Sequence, residues 1–204
     1  MKLFYSNIKV LVLLLSASST AVAASELSDI QAQLAKPAVL CGQFTQKKQL
    51  QGMKKPLNSS GRFCVVQEKG VLWRTLQPFP DTLKLSRDAI THMQGERVTM
   101  RLDAKQEPTV KLINSMLFSL LAGDFSQLEK LFALEAKKTG KTWQVHLTAK
   151  QAGLAKVISK IDLEGAEHVQ QVMMYEAGGD TTQITFSDVA TGNNAMTAAE
   201  VALF

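Results

Sequence analysis

The residues with the widest choice of chemistry are the two cysteines of the chain, Cys41 and Cys64. A pair of thiols can act in redox catalysis, hold a metal ion or form a structural disulfide. The spacing is not C-x-x-C and no histidine lies near either cysteine, so both redox and zinc motifs match poorly. A disulfide closing a loop of about 20 residues would stabilise an exported protein by roughly 3 kcal/mol. We therefore predict a structural disulfide.

The remaining polar residues lack the spacing of a catalytic or metal-binding motif. Gly140-Lys141-Thr142 resembles part of a phosphate-binding loop, but Glu135 stands where that loop needs its first glycine. The histidines lie far apart in sequence: His92, His146 and His168. Three acids near one predicted strand are expected to face solvent: Asp162, Glu164 and Glu167. We expect no catalytic residue, no cofactor and no metal.

The N-terminal residues predict export. Lys2 and Lys9 form a basic start, Ile8–Leu15 is apolar, and Ala21–Ala23 fits a small-x-small cleavage site. The apolar run is too short to span a bilayer. We predict that residues 1–23 are a removed signal peptide and that residues 24–204 form a single soluble domain. Without the two signal lysines the net charge falls from +5 to +3, too weak to indicate nucleic-acid binding.

Hydrophobic periodicity predicts a short helix, then strands, a helical insertion and more strands. The first helix covers residues 25–36, with Leu27, Ile30 and Leu34 on one face. The pattern of residues 110–122 predicts an apolar helix, and that of residues 124–132 predicts a second, short helix. The other segments alternate with a period of two or are apolar runs between turns. They are 41–47, 61–67, 71–76, 81–86, 90–92, 96–102, 143–147, 157–163, 169–176 and 182–186. Absence of a β-α-β rhythm indicates an antiparallel sheet of about nine to eleven strands with helices on one face.

Pairing Cys41 with Cys64 fixes the register of the first hairpin. Two aromatic residues then lie opposite glycines: Phe44 faces Gly61, and Phe63 faces Gly42. A turn centred at Lys69 places Trp73 opposite Val65. One face of these strands therefore collects Phe44, Phe63, Val65 and Trp73, with the cysteines on the other, polar face. There we expect the disulfide to brace the edge of the sheet.

Several short motifs occur in an order that resembles the LolA family of periplasmic lipoprotein carriers, and most closely its LolA-like branch. The resemblance covers essentially the whole predicted mature chain. The matching pieces are Gly42-x-Phe44-x-Gln46, Pro56-Leu57-x-Ser59-x-Gly61-x-Phe63, Gly70–Trp73 with Pro78-Phe79, Leu120–Asp124, Leu128–Phe132, Trp143-x-Val145-x-Leu147-Thr148 and Glu176-x-Gly178-x-Asp180-x-Thr182-x-Ile184-x-Phe186.

This resemblance implies an α+β fold, an incomplete antiparallel β-barrel whose concave apolar face is covered by helices. It also implies a periplasmic location and a monomeric carrier with no enzymatic activity. Such a carrier takes lipoprotein acyl chains from an inner-membrane exporter to an outer-membrane acceptor. Together with the register, it predicts an apolar cavity lined by Phe44, Phe63, Val65, Trp73, Leu83, Leu85, Met100, Met116, Leu117 and Leu120.

The chain departs from the family pattern in two ways. A basic residue that helps to hold the lid closed in LolA proper, and an aromatic after it, correspond to about Gln67 and Val71 here. The cysteine pair is not a general family feature either. Another acylated or polyene-like lipid is therefore an alternative cargo. Two alternative functions also stay open: a cell-envelope scaffold with a filled core, and a thiol oxidoreductase or hydrolase.

Overall fold

The computed structural model describes residues 19–86, 88–95, 97–103, 119 and 125–204. Within these ranges eleven strands form a single antiparallel sheet. The strands are β1 (Val39–Gln49), β2 (Leu57–Val66), β3 (Gly70–Gln77), β4 (Asp81–Leu85), β5 (Ala89–Gln94), β6 (Arg97–Asp103), β7 (Phe132–Thr139), β8 (Thr142–Ala149), β9 (Ile158–Gly165), β10 (Val169–Glu176) and β11 (Thr181–Thr191). This number agrees with the nine to eleven strands expected from the sequence.

The sheet consists of two meanders that meet in its middle. Its strand order is β6-β5-β4-β3-β2-β1-β11-β10-β9-β8-β7. Strands β1 to β6 extend in one direction from the β1–β11 pair, and β10 to β7 extend in the other. Strands β6 and β7 are the two edges and do not pair with each other. The sheet is therefore open rather than a closed barrel.

Helix α1 (Ser19–Gln33) packs on the sheet through the side chains that the sequence periodicity predicted. Leu27, Ile30 and Leu34 are buried, and the helix contacts β7. Gln33 Nε2 donates to the carbonyl oxygens of Lys141 and Ala166, which ties the end of the helix to two turns of the sheet. The other helical segments of the described chain are short: α2 (Ala152–Ala155), α3 (Ala198–Leu203), and the 3-10 turns η1 (Leu128–Lys130) and η2 (Asn193–Ala195).

Two predicted segments cannot be compared in full. Residues 1–18 of the predicted signal peptide lie outside the described residues. So does the predicted helix 110–122, apart from Ser119.

Buried apolar side chains lie on both faces of the sheet. We call the face that carries Phe44, Phe63, Trp143, Val145 and Leu163 the inner face, because its cluster is the larger one and includes the apolar side of α1. The outer face carries a smaller cluster, with Val39, Cys41, Cys64, Val66 and Leu72. The sequence predicted the first cluster and missed the second.

The register of the first hairpin is confirmed. Cys41 pairs with Cys64, with 4.1 Å between their Cα atoms, and the two form a disulfide. Phe44 lies opposite Gly61, and Phe63 lies opposite Gly42. Both glycines are needed for space, because a Cβ at either position would come within 2.9 Å of the opposing ring.

The predicted position of this disulfide at a sheet edge is wrong. Strand β1 is the sixth of the eleven strands, so the disulfide lies at the centre of the sheet. The predicted face is confirmed, since Gln43 and Arg62 lie on the same side of the hairpin as the disulfide. What was not predicted is that Cys41 and Cys64 are fully buried beneath the C-terminal residues. The hairpin is the first in the sequence, and it was therefore expected at an edge of the sheet. It does not lie at an edge, because β11 pairs with the other side of β1.

The predicted pairing of Trp73 with Val65 is also wrong, by two residues. The structure pairs Trp73 with Phe63, and Val65 with Val71. The cause is the turn, which is centred at Glu68 rather than at Lys69; Glu68 adopts a left-handed φ of 67°. A shift of two residues leaves every side chain on its predicted face, because strands alternate with a period of two.

Most of the predicted second helix, 124–132, is not helical in the part that the structure describes, residues 125–132. Only Leu128–Lys130 forms a 3-10 turn, and Phe132 already begins strand β7. Strand β7 was not predicted, because its inward positions include Ala136 and Lys138 and its apolar alternation is therefore weak. Pairing with β8 along its full length nevertheless holds it as an edge strand.

The C-terminal residues cover the outer-face cluster. Met196, Leu203 and Phe204 pack against it, and Lys84 donates a hydrogen bond to the carbonyl of Leu203. Helix α3 begins with a capping box in which Thr197 and Glu200 exchange hydrogen bonds between side chain and backbone. The T-x-x-E signature of that box is visible in the sequence but was overlooked.

Glu200 anchors this C-terminal segment electrostatically. Its carboxylate, 1% exposed, accepts hydrogen bonds from Arg62 Nε at 2.8 Å and from the Thr197 backbone at 2.8 Å. Arg74 Nη1 lies 3.8 Å away. Burial raises the pKa of Glu200, but the hydrogen bonds from Arg62 and Thr197 outweigh it, so the net pKa is lowered.

A lowered folded-state pKa predicts acid sensitivity of this anchor. The contribution of Glu200 to stability is present above the unfolded pKa of about 4.3 and is lost as the pH falls through the lower folded pKa. We expect Glu200→Gln to lower the free energy of unfolding by about 2 kcal/mol at neutral pH. The melting temperature of this variant should fall less between pH 5 and pH 3 than that of the wild type. Thermal melts of both proteins across that range test this. Equal acid dependence in the two proteins would contradict it.

Candidate functional site

A row of side chains crosses the inner face from β2 to β6. Successive register pairs join Phe63 to Trp73, Trp73 to Leu83, Leu83 to His92, and His92 to Met100. Directly opposed residues of antiparallel strands share a face. The row therefore places one side chain from each of five neighbouring strands on the same side of the sheet.

Four aromatic rings form the centre of the inner face. Phe44 stacks on Trp73 with ring centroids 3.8 Å apart, and Phe63 meets Phe186 edge-on at 4.9 Å. Trp73 also lies edge-on to Phe186, at 6.2 Å. Such contacts add rigidity beyond simple burial. Trp73 thus stands in a fixed orientation, with part of its ring still accessible.

The two halves of the inner face differ in how completely they are covered. On the β7–β10 side, Trp143, Leu147 and Ile161 are fully buried beneath α1, Phe125 and Leu128. On the β2–β6 side, exposure increases along the row: Phe63 is buried, Trp73 and Leu83 are half-buried, and Met100 is 44% exposed. Among the described residues, the first half is a filled core, and the second is buried at β2 and becomes partly exposed towards the edge strand β6.

The structure brings most of the predicted lining residues together. Phe44, Phe63, Val65 and Leu85 are buried in the inner-face cluster, and Trp73 and Leu83 pack against it. Met100 continues the same row at the edge strand β6. The other predicted lining residues, Met116, Leu117 and Leu120, lie outside the described residues.

Phe186 belongs to the aromatic centre but was not among the predicted lining residues. The alternation of Ile184 and Phe186 in the last strand was a visible signal. What the sequence did not reveal was the β1–β11 pairing that places Phe186 directly opposite Phe44.

A small polar group interrupts the apolar row between Leu83 and Met100. His92 Nε2 lies 2.6 Å from Asp81 Oδ1, and His92 Nδ1 lies 2.6 Å from the hydroxyl of Thr99. The three side chains come from β4, β5 and β6 and are partly or fully exposed. They offer hydrogen-bonding groups next to Leu83 and Met100, where a ligand with an apolar body would place a polar end.

The other histidines do not join this group. His146 is on the outer face of β8, where its Nδ1 lies 2.7 Å from Asp162. Burial raises the pKa of Asp162, but hydrogen bonds from His146 and Lys160 outweigh it and leave the pKa lowered. His168 lies in the turn between β9 and β10. The three histidines therefore lie in different parts of the sheet.

The cysteines are placed for stability rather than for thiol chemistry. Cys41, Cys64 and Glu200 have donor atoms within 4.8 Å of one another, which is close enough for a metal site. However, the two sulfurs are bonded to each other, so neither is the thiolate that zinc requires. Burial of both sulfurs beneath α3 also shields them from a redox partner.

The two positions at which the chain departs from the family pattern lie in different surroundings. Gln67 is exposed in the β2–β3 turn, where its backbone amide donates to Ala38 O at 2.8 Å. Val71 is fully buried in the inner-face cluster. In the described part of the chain, no helix is long and apolar enough to cross a membrane.

The sequence matches a known protein family. The family described as "Outer membrane lipoprotein carrier protein LolA" matches residues 36–200. A protein of Dechloromonas aromatica (strain RCB) named outer-membrane lipoprotein carrier protein is 28% identical over 158 residues, which cover 74% of this chain and 70% of the relative.

The solved structures that resemble this chain include a LolA superfamily protein from Nitrosomonas europaea, with a TM-score of 0.46 and 9% identity over 84% of this chain and 94% of that one. The Pseudomonas aeruginosa MucA/MucB complex gives a TM-score of 0.47 and 15% identity, over 85% of this chain and 62% of that one. The family match extends over most of the sequence, including every strand from β1 to β11. The chain therefore belongs to the LolA family of outer membrane lipoprotein carrier proteins.

Proposed function

We propose that this chain is a non-enzymatic periplasmic carrier that binds the acyl chains of a lipoprotein, or of a related lipid, against its inner face. It would take this cargo from an inner-membrane exporter to an outer-membrane acceptor. Its working form would be a monomeric single domain of residues 24–204, released from its signal peptide. The sheet would curve as an incomplete barrel with the inner face concave and partly covered by helices.

The observation that carries this proposal is the partly exposed apolar row Trp73, Leu83 and Met100. Large apolar surfaces are seldom left accessible in a soluble domain without a ligand or partner. Trp73 and Leu83 lie on the neighbouring strands β3 and β4, and His92 of β5 separates them from Met100 of β6. An extended alkyl chain lying along the row would therefore cross Trp73 and Leu83 and reach Met100 past His92. Each buried methylene contributes about 0.8 kcal/mol, which is enough for a long acyl chain to bind tightly after the cost of ordering it.

A charge placed in the row should abolish binding. Met100→Asp puts a carboxylate on the inner face, where an alkyl chain would have to desolvate it. We expect uptake of a fluorescent fatty acid to fall at least tenfold. Val201→Asp is the matched control, because Val201 is 52% exposed but lies on α3 beside the outer face. We expect it to bind as the wild type does.

Native mass spectrometry of protein purified from its own periplasm provides an independent test and would identify the cargo. A protein that is always empty, and that takes up no fatty acid, would contradict the proposal.

A second candidate is a cell-envelope interaction module of the same fold with a filled core. The complete burial of Trp143, Val145, Leu147 and Ile161 on the β7–β10 side favours it. The two candidates differ in ligand uptake: the module takes up no acyl chain, and Met100→Asp leaves its interactions unchanged. Uptake that is sensitive to Met100→Asp would exclude it.

A further inference from the structure

One end of the sheet brings three loops together. Gln49, at the end of β1, pairs with Thr181, at the start of β11, and the backbone amide of Gln51 donates to Asp180 Oδ1 at 2.8 Å. Pro56 and Pro78 line the same groove of about 660 Å³. The β1–β2, β3–β4 and β10–β11 loops are therefore neighbours, and they form a single surface at this end.

Large apolar side chains project from two of these loops. Phe79 is 80% exposed, which makes it the most exposed large apolar side chain of the described residues. Leu57 is 52% and Met53 46% exposed. The β1–β2 loop is held in place, since Met53 N donates to Leu50 O at 3.1 Å and Gln49 Nε2 donates to Met53 O at 2.6 Å. Met53 and Phe79 lie in the loops, and Leu57 is the first residue of β2, opposite Lys48 at the same end of the sheet.

The same loop carries positive charge. Lys54 and Lys55 are exposed, and no carboxylate of the described residues lies within 4.0 Å of either ammonium group. The acids at this end already have other partners within the chain: Asp81 with His92, Glu176 with Lys48, and Asp180 with the amide of Gln51. The surface thus combines apolar side chains with uncompensated cations.

We propose that the patch of Met53, Lys54, Lys55, Leu57 and Phe79 docks onto a bilayer surface that carries anionic headgroups. Lysine ammonium groups are attracted to the negative surface potential, and apolar side chains enter the boundary between headgroups and acyl chains. A protein with this patch binds such a membrane weakly and reversibly, and added salt weakens the contact. The inference goes beyond the proposed function, since it concerns a surface outside the inner face.

Cosedimentation with vesicles tests this docking without any cargo. We expect wild-type protein to bind mixed phosphatidylethanolamine–phosphatidylglycerol vesicles at low salt, and to bind phosphatidylcholine vesicles at least tenfold more weakly. Lys54→Gln/Lys55→Gln, and separately Phe79→Ser, should each weaken binding to the anionic vesicles about tenfold or more. Far-UV circular dichroism checks that both variants keep the fold.

The matched control is Lys137→Gln/Lys138→Gln, which removes the same charge near the opposite end of the sheet, beside the β7–β8 turn. We expect it to change vesicle binding less than twofold. The proposal is overturned if the control weakens binding as much as the loop variants do. It is also overturned if wild-type protein binds neither vesicle type, in which case a protein partner would be the occupant of the patch. Neither outcome bears on fatty-acid uptake.

Discussion

Replacing Gly61 by alanine is expected to destabilise the protein by about 4 kcal/mol, because the strands have no room for a methyl group there. A Cβ at this position would lie 1.9 Å from the carbonyl oxygen of Arg74 and 2.9 Å from the Phe44 ring. The ring could move, but the carbonyl belongs to the backbone of β3 and can shift only if the β2–β3 ladder opens. We expect the melting temperature to fall by about 10 °C.

Gly153→Ala is the matched control for this substitution. Gly153 lies in α2, where a Cβ would meet no atom within 4 Å. Alanine is the better helix former, so this variant should be as stable as the wild type or slightly more stable. Equal melting temperatures for Gly61→Ala and Gly153→Ala would show that the β2–β3 contact is looser than described.

Loss of the Cys41–Cys64 disulfide is expected to lower the free energy of unfolding by about 3 kcal/mol. The bond constrains the unfolded chain, and it also lies beneath the residues that dock on the outer face. We expect the melting temperature of Cys41→Ala/Cys64→Ala to fall by about 6–12 °C. Hydrogen exchange in residues 198–203 should rise as well, because Leu203 and Phe204 rest on this part of the sheet.

Treatment with a reducing agent provides the control. It should lower the melting temperature of the wild type to that of the double variant, and it should leave the double variant unchanged. Fatty-acid uptake well below the melting temperature should survive in both proteins, because the disulfide and the inner face are on opposite sides of the sheet. A thiol oxidoreductase would instead lose its activity with the cysteines. Identical stability of the oxidised and reduced proteins would refute a structural role.

Local features of the fold could be predicted from the sequence. The cysteine positions fixed the first register, and the aromatic–glycine pairs followed from it by counting. The inner-face row could also be predicted, since alternation groups Trp73, Leu83 and Met100 with the other inward residues of their strands, and only a shift by an odd number of residues at a turn would reverse a face. Even the two-residue error at the β2–β3 turn left these faces unchanged.

Contacts between distant segments could not be predicted in the same way. No local pattern specifies that β1 pairs with β11, yet that pairing decides where the disulfide lies and brings Phe186 into the aromatic centre. The covered outer face had a signal that was missed. Phe63-Cys64-Val65-Val66 is apolar on every residue rather than alternately, as expected of a strand buried on both faces.

The pairing of the first strand with the last has a consequence for how the chain can fold. The central ladder of the sheet joins residues 40–49 to residues 181–191, so it cannot form until almost the whole chain is available. Each meander can pair locally before then, but β1 and β11 would each remain an unpaired edge. Pairing of β1 with β11 is therefore a late, long-range step, and it closes a loop of well over a hundred residues. If such a chain crosses a membrane with its N-terminus first, β1 and β11 would stay unpaired until the last strand had crossed. The chain could remain extended until then.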